Sequence, residues 1–361
     1  MSPYSSTPRP LVVTADDALL DDLLRLAAAA GTDVDVAHDP GSARAVWASV
    51  PIVIVGADQA EGLAHLAPTR RHSVYLVSRD RTDPAAWRSA VDLGAERVAV
   101  LPDDESWLAD RLADATEGET GNALVAGVIG GRGGAGASVL ATALSVTACR
   151  RGLSTMLVDL DPIGGGLDLA IGAEETVGLR WPDLAGSRGR LSARALRSEL
   201  PGRHGLTVLS WDRGDLFAVA AESAQVVLAA AQRACDFVVL DLPRRLDPAA
   251  EKAASACLTV LLVVPAEVRA VAAASRVVAS LTPLASDLRV VSRGPSRSRL
   301  GGPDVAAALD LPLALHMAAE RRLTDHLDRG EPPGLHERGP LAVACNQILD
   351  DLLFDHQMSA P

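Results

Sequence analysis

The stretch Gly131-Arg132-Gly133-Gly134-Ala135-Gly136-Ala137-Ser138 constrains the fold of this chain more than any other. An apolar run, Leu124 to Ile129, feeds into it, and a helix-forming stretch from Ser138 to Arg151 follows, closed by Gly152 as a C′ residue. Strand, glycine loop and helix N-terminus in that order make an anion site. Glycines let backbone N–H groups close on an oxyanion, and the helix dipole favours negative charge there. A phosphate loop normally carries a Lys before its Ser or Thr, reaching the terminal phosphates. Here that position is Ala137, and Lys252 is the only lysine in the chain.

At 361 residues the chain can hold two domains with separate cores. Its formal charge of −12 argues against a generic nucleic-acid binder, whose affinity rests on Lys and Arg contacts to phosphate. Arg180, Arg188, Arg190, Arg194, Arg197 and Arg203 form one local basic stretch, which at this spacing reads as a solvated face. Cys149, Cys235, Cys257 and Cys345 lack any CxxC spacing and sit in apolar contexts, the pattern of buried free thiols in a reducing cytosol. The first ten residues contain no signal-peptide core. The longest strongly apolar run, Leu258 to Ala266, is too short to span a bilayer, so a cytoplasmic protein without a transmembrane segment is expected.

Residues 1–115 alternate short β runs (Leu11–Val13, Val34–Val36, Ile52–Val55, Val74–Val77, Arg97–Val100) with helical stretches. The first helix, Asp16 to Ala30, has Asp16 as its cap and Gly31 as its stop. This pattern predicts a doubly wound, flavodoxin-like sheet. Its order resembles a response-regulator receiver domain. In that family an acidic pair follows the first strand, which Asp16 and Asp17 match; the phosphoacceptor aspartate should end the third strand, yet Asp58 lies beyond it. The lysine expected before a proline at the fifth strand is Leu101, preceding Pro102. A receiver-like domain that takes no phosphate is the expectation, with these acids serving as caps and loop residues.

Residues 116–122 read as a polar linker, and 123–361 as a second α/β domain. Its strand candidates are Leu124–Gly130, Thr155–Leu160, Leu206–Leu209, Phe237–Leu242, Thr259–Val264, Leu288–Ser292 and Leu313–Leu315; several are continuous apolar runs, as in a parallel sheet covered on both faces. Asp159 and Asp161 follow the second of these, and Phe237-Val238-Val239-Leu240-Asp241 is an apolar strand ending in an acid, the form of an element that holds Mg2+.

Loop and acids together resemble the MinD/ParA family of deviant-Walker ATPases, whose loop reads K-G-G-x-G-K-[ST]. Arg132 stands at the first, dimer-spanning lysine; Gly133, Gly134 and Gly136 match the glycines, with Ala135 between; Ala137 replaces the second lysine; Ser138 matches the magnesium ligand. The resemblance implies switch acids at Asp159 and Asp161, the latter positioning water if the protein is active, and a Mg2+ ligand at Asp241 alongside Ser138. It also implies a nucleotide contact at Arg293, in Val290 to Pro295. A receiver-like domain, the degraded loop and Gly164-Gly165-Gly166-Leu167-Asp168-Leu169 together look like the CpaE/TadZ/Ssd branch, associated with septum-site regulation and Tad-type pilus or secretion loci. ATP and Mg2+ binding with little or no hydrolysis, a homodimer, and recruitment to septum or cell pole by cell-division proteins or a secretion ATPase are implied. An alternative in the same fold is a slow ATPase in which Arg132 supplies the missing charge.

Gly131 to Gly136 also satisfies G-x-G-x-x-G, with Asp159 placed to meet a ribose, so a dinucleotide oxidoreductase is a second class. Against it, Ser138 and Asp241 are not needed by such a site, and no hydride-transfer catalyst presents itself. The C-terminal stretch Leu341 to Phe354 carries Asp350, Asp351 and Asp355, a poor ligand for anionic lipid, so Leu349, Leu352, Leu353 and Phe354 are expected to pack on protein. His204, His316, His326 and His336 show no metal-like spacing, and no zinc site is expected.

Overall fold

The computed structural model describes residues 9–117, 123–214, 217–294, 300–321 and 323–359. Most of the linker stretch 116–122, and Pro295, lie outside them. The chain divides into two compact units, Met1–Glu119 and Thr120–Pro361.

The first unit is a parallel sheet of β1 (Leu11–Val13), β2 (Asp35–Ala37), β3 (Val53–Gly56), β4 (Val74–Ser78) and β5 (Arg97–Val100), in the order β2-β1-β3-β4-β5. This is the flavodoxin-like order that the alternation predicts. Side chains alternate between two cores, Leu11, Val13, Val53 and Val55 on one face and Val12, Ile54, Tyr75 and Val77 on the other. Helix Asp17–Ala29 buries Leu19, Leu23 and Leu26, and Asp16 caps it by accepting the Ala18 and Leu19 N–H groups at 2.9 and 3.2 Å.

Asp58 lies in the first turn of helix Ala57–His65, past the end of β3. Its carboxylate accepts the Thr14 hydroxyl and the Ala15 N–H, both at 2.8 Å, joining the end of β1 to that helix. Partial burial opposes its ionisation, but bonds from Ala15, Gln59 and Thr14 outweigh that and hold the carboxyl below its ordinary value. Such a group is a structural acceptor. Asp58→Ala is expected to lower the stability of this unit by about 1 kcal/mol in urea unfolding. Intact-mass analysis after treatment with acetyl phosphate should show no acid-stable or acyl-linked phosphate in either form.

The second unit has eight strands: β6 (Leu124–Gly130), β7 (Thr155–Asp159), β8 (Gly202–Arg203), β9 (Leu206–Leu209), β10 (Phe237–Leu242), β11 (Thr259–Pro265), β12 (Leu288–Arg293) and β13 (Leu313–Met317). Their order is β13-β12-β11-β6-β10-β7-β9-β8, parallel throughout except for the β8–β9 pair. Seven of these strands fall on the apolar runs of the sequence; the two-residue β8 does not.

On one face Ile129, Val238, Leu240, Val260 and Leu262 pack under helices Ala221–Ala234, Pro248–Ser255 and Val268–Leu281. On the other, Val128, Leu157, Val239, Leu261 and Val263 pack under helices Ala137–Arg150 and Pro340–Ser359. Helix Ala137–Arg150 is buried on nearly every side. Its Thr142, Ser145 and Thr147 hydroxyls are therefore satisfied locally, donating to carbonyls one turn back at 2.7–2.8 Å. From the C-terminal helix Leu349 and Leu352 are buried and Leu353 half-buried, whereas Phe354 is exposed. Cys235, Cys257 and Cys345 are buried thiols pushed up to about 11, 12 and 12 by desolvation; Cys149, expected to be buried too, is only partly so, in the last turn of its helix.

Candidate functional site

β6 ends at Gly130, and the loop turns through Gly134 at φ +70° and Gly136 at φ +95° before the helix begins at Ala137. Side chains would be strained at both glycines. A Cβ on Gly131 would come within 2.8 Å of Ala274, so the loop base lies tight on helix Val268–Leu281. At Gly133 and Gly134 a Cβ would meet nothing within 4 Å, which leaves the upper rim of the loop open to a ligand.

Two arginines flank this loop. The Arg132 Nη2 donates to Glu267 Oε2 at 3.1 Å, and both side chains are substantially exposed. Arg293, at the end of β12, brings its Nη1 within 2.9 Å of the point a Cβ on Gly136 would occupy. A guanidinium therefore rests against the loop beside Ala137. Arg293, Glu267, Gly136, Pro265 and Met317 line a cavity of about 570 Å3, within the range of small-molecule sites.

Register between β7 and β10 sets Asp159 directly opposite Asp241, on the sheet face covered by helix Ala137–Arg150. Both are almost fully buried. Asp159 accepts the Asp161 N–H at 3.1 Å on one oxygen, and the Leu167 N–H at 3.1 Å and the Ser210 hydroxyl at 2.9 Å on the other. Its backbone carbonyl accepts both indole N–H groups of Trp181 and Trp211, at 2.6 and 3.1 Å. Asp159 thus ties the loop 160–167 to β7. Ser138, at the start of the helix, lies close enough to Asp241 for its hydroxyl to favour the ionised carboxylate. Asp161 is half-exposed, with Oδ1 accepting the Ile163 N–H at 3.2 Å.

Burial pushes the Asp159 carboxyl up to about 6, its hydrogen bonds opposing the rise. Asp241 is pushed up to about 7, first by burial and then by the neighbouring charges of Asp159 and Asp161. A hydroxyl, a buried carboxylate and surrounding negative charge form a hard-oxygen donor set that suits Mg2+.

A buried ionic cluster, without a signal along the chain, involves Asp168. Asp168 is fully buried; Arg213 grips it through two bonds at 2.8 and 2.9 Å, and Arg180 reaches it at 3.2 and 3.3 Å. Arg180 therefore leaves the solvated face assigned to it, while Arg188, Arg194, Arg197 and Arg203 are exposed as expected. A second correction concerns histidine. His204 and His316 belong to no group of ligating side chains among the described residues, but His326 and His336 meet with ring centroids 4.9 Å apart, the chain turning back at Gly330 between them.

The raised acids give the stability a pH dependence. Each carboxyl keeps its proton in the fold at pH values where the unfolded chain has lost it. In the ligand-free protein the contribution of these two groups is thus fully present below the ordinary carboxylate value of 3.8 and is lost as pH rises towards about 7. Asp241→Asn should flatten that fall and exceed the parent by on the order of 2 kcal/mol above neutrality, as read from urea titrations across the range.

Residues 13–123 match the family described as Rv3660c-like, CheY-like N-terminal domain. Over 340 residues the chain is 39% identical to the protein Rv3660c of Mycobacterium tuberculosis H37Rv, covering 92% of this chain and 95% of that one. Among solved structures it is similar to a ParA family ATPase from Chlorobium tepidum (TM-score 0.57, 15% identity, 64% of this chain and 99% of that one). It is similar also to the septum site-determining protein MinD complexed with Mg-ADP from Pyrococcus horikoshii (TM-score 0.56, 18% identity, 66% and 99%). The MinC:MinD cell division complex of Aquifex aeolicus gives a TM-score of 0.55 at 22% identity, over 66% and 98%. The fold is a CheY-like domain followed by a MinD/ParA-like domain. Among the described residues, no helix is long and apolar enough to cross a membrane.

Proposed function

Since this chain belongs to the Rv3660c-like family, we propose that it is a regulatory or scaffold protein of septum-site or partition-type positioning, in which Mg-ATP acts as a binding switch with little or no turnover. One observation carries this reading. The glycine loop and the Ser138–Asp241 pair are intact, while Ala137 stands where the lysine would be. The finer assignment is to the CpaE/TadZ/Ssd branch, supported by the receiver-like unit joined to a P-loop unit with this degraded loop.

In the proposed complex the amides of Gly134 to Ser138 and the helix terminus cradle the phosphates. Ser138 and Asp241 hold the Mg2+, which offsets phosphate charge. Asp161 is the group placed to orient water, and Asp159 fixes the loop that carries it. Arg293, already against Gly136, supplies a cation at the helix end of the loop. Arg132 is tethered by Glu267 through an exposed pair, worth at most about 1 kcal/mol, and is readily released to a second protomer's phosphates. The working unit is then a nucleotide-bridged homodimer, recruited to septum or pole by cell-division or secretion proteins. The dinucleotide reading is set aside, since the fold is the MinD/ParA one.

Calorimetry should show Mg-ATP binding, with hydrolysis at or near background. Arg293→Ala is expected to weaken binding about tenfold or more, the loss of one charge-assisted contact. Arg132→Ala should leave binding nearly unchanged and weaken nucleotide-dependent dimerisation in sedimentation. A preorganised donor is worth roughly 10²–10³ in rate, so Ala137→Lys should raise turnover towards that factor and Ala137→Ser should not. Robust hydrolysis by the parent, lost in Asp161→Ala, would favour the slow-ATPase alternative; absence of any nucleotide binding would sink both.

A further inference from the structure

Between β13 and the C-terminal helix the chain folds back around three ligating side chains. Helix Leu323–Leu327 carries His326. Gly330, at φ +67°, reverses the chain, and the N–H groups of Arg329 and Glu331 return to the His326 carbonyl at 3.1 and 3.0 Å. This sets Glu331 facing His326, whose Nδ1 is in hydrogen-bond contact with Glu331 Oε2. His336 comes back to the same oxygen, with Nε2 at 3.7 Å, and its ring lies edge-on to that of His326. One ligand atom from each residue lies within 4.8 Å of the other two.

We propose that His326, Glu331 and His336 form a binding site for a divalent transition-metal ion of the zinc class, with solvent completing its shell. Two imidazoles and a carboxylate are the donor set that such ions prefer. Bonds of about 2.0–2.2 Å set tetrahedral ligands roughly 3.3–3.5 Å apart, so the 3.7 Å separation closes with a small adjustment. Charge balance points the same way. The Arg329 Nε already lies 3.2 Å from Glu331 Oε1, so this carboxylate has a counter-ion without either histidine. Two adjacent protonated imidazoles would repel one another, whereas two neutral ones offer converging lone pairs. The side chains are partly open to solvent, which gives an ion a way in.

The site has a structural consequence. Its return limb is anchored to the phosphate-loop helix: Gly334, at φ +82°, packs against Ala143, and Arg150 donates to the Gly334 carbonyl at 3.0 Å and pairs with Glu337 at 3.1 Å. Its outgoing limb, Leu323 to Asp325, lines the cavity beside Gly136 and Arg293. A bound ion clamps one limb to the other and fixes that cavity wall, whether or not nucleotide binds.

The test uses the untagged full chain, stripped with a chelator and titrated with Zn2+ in a calorimeter and with Co2+ in a spectrophotometer. One equivalent should bind with micromolar or tighter affinity, and the Co2+ bands should lack thiolate charge transfer, which separates this site from Cys149. The double variant His326→Ala/His336→Ala should lose the binding and the metal-induced rise in Tm. Glu331→Gln, which keeps the shape of the side chain, should bind at least tenfold more weakly; it stands as the readout if the double variant has a perturbed metal-free melt. Equal binding by parent and variants, thiolate-type bands, or no binding at millimolar Zn2+ would each overturn the assignment.

Discussion

Asp159 and Asp241 stand side by side, buried, on two neighbouring parallel strands, and the carboxyl edge of the second sheet is organised around that juxtaposition. Two carboxylates in this position are costly to ionise, through lost hydration and mutual repulsion. The chain resolves the problem unevenly. Asp159 collects three donors and, through its carbonyl, two indoles, so it becomes the anchor of the loop that follows. Asp241 has only the Ser138 hydroxyl nearby, at the start of the helix, to favour its charge. The unevenness separates roles: one acid holds shape, and the other retains a need for positive charge.

Besides Arg132 in the loop itself, a second positive charge comes from another strand. β12 lies two strands from β6, and its last residue, Arg293, reaches back over Gly136. That reach explains how a loop without lysine can keep a cation at hand. Arg differs from Lys in presenting a flat fork on a long stem, suited to lying along an anion and less to pointing into one. The loop's shape owes nothing to the missing side chain. It depends on the left-handed glycines and on close packing of Gly131 against Ala274, both independent of residue 137.

Much of this was legible in the sequence, for physical reasons that differ by element. Continuous runs such as Phe237 to Leu242 and Thr259 to Pro265 announce strands buried on both faces, and Asp16 sits where a cap is needed. The two acids at strand ends were visible because the apolar run before each fixes where its strand stops. Their division of labour was not, since it depends on Ser210, Trp181 and Trp211 arriving from later in the chain. Asp168 stands out in the sequence only as part of the Gly164 to Leu169 segment; its ion pairs with Arg180 and Arg213 depend on residues that arrive from later in the chain. His326 and His336 are joined by a reversal at Gly330, which spacing along the chain does not encode. β8 is too short to carry a pattern.

That small strand has a consequence for how copies of the protein can meet. Gly202 and Arg203 run antiparallel to β9 and end the second sheet on that side, with Pro201, which has no N–H, just before them. A two-residue border presents too few backbone groups to template another chain, and the Arg203 guanidinium is turned onto the Gly172 carbonyl across it. Lateral growth of the sheet by strand addition is therefore blocked on that flank, leaving side-chain surfaces, not a shared backbone ladder, to govern contact there between molecules.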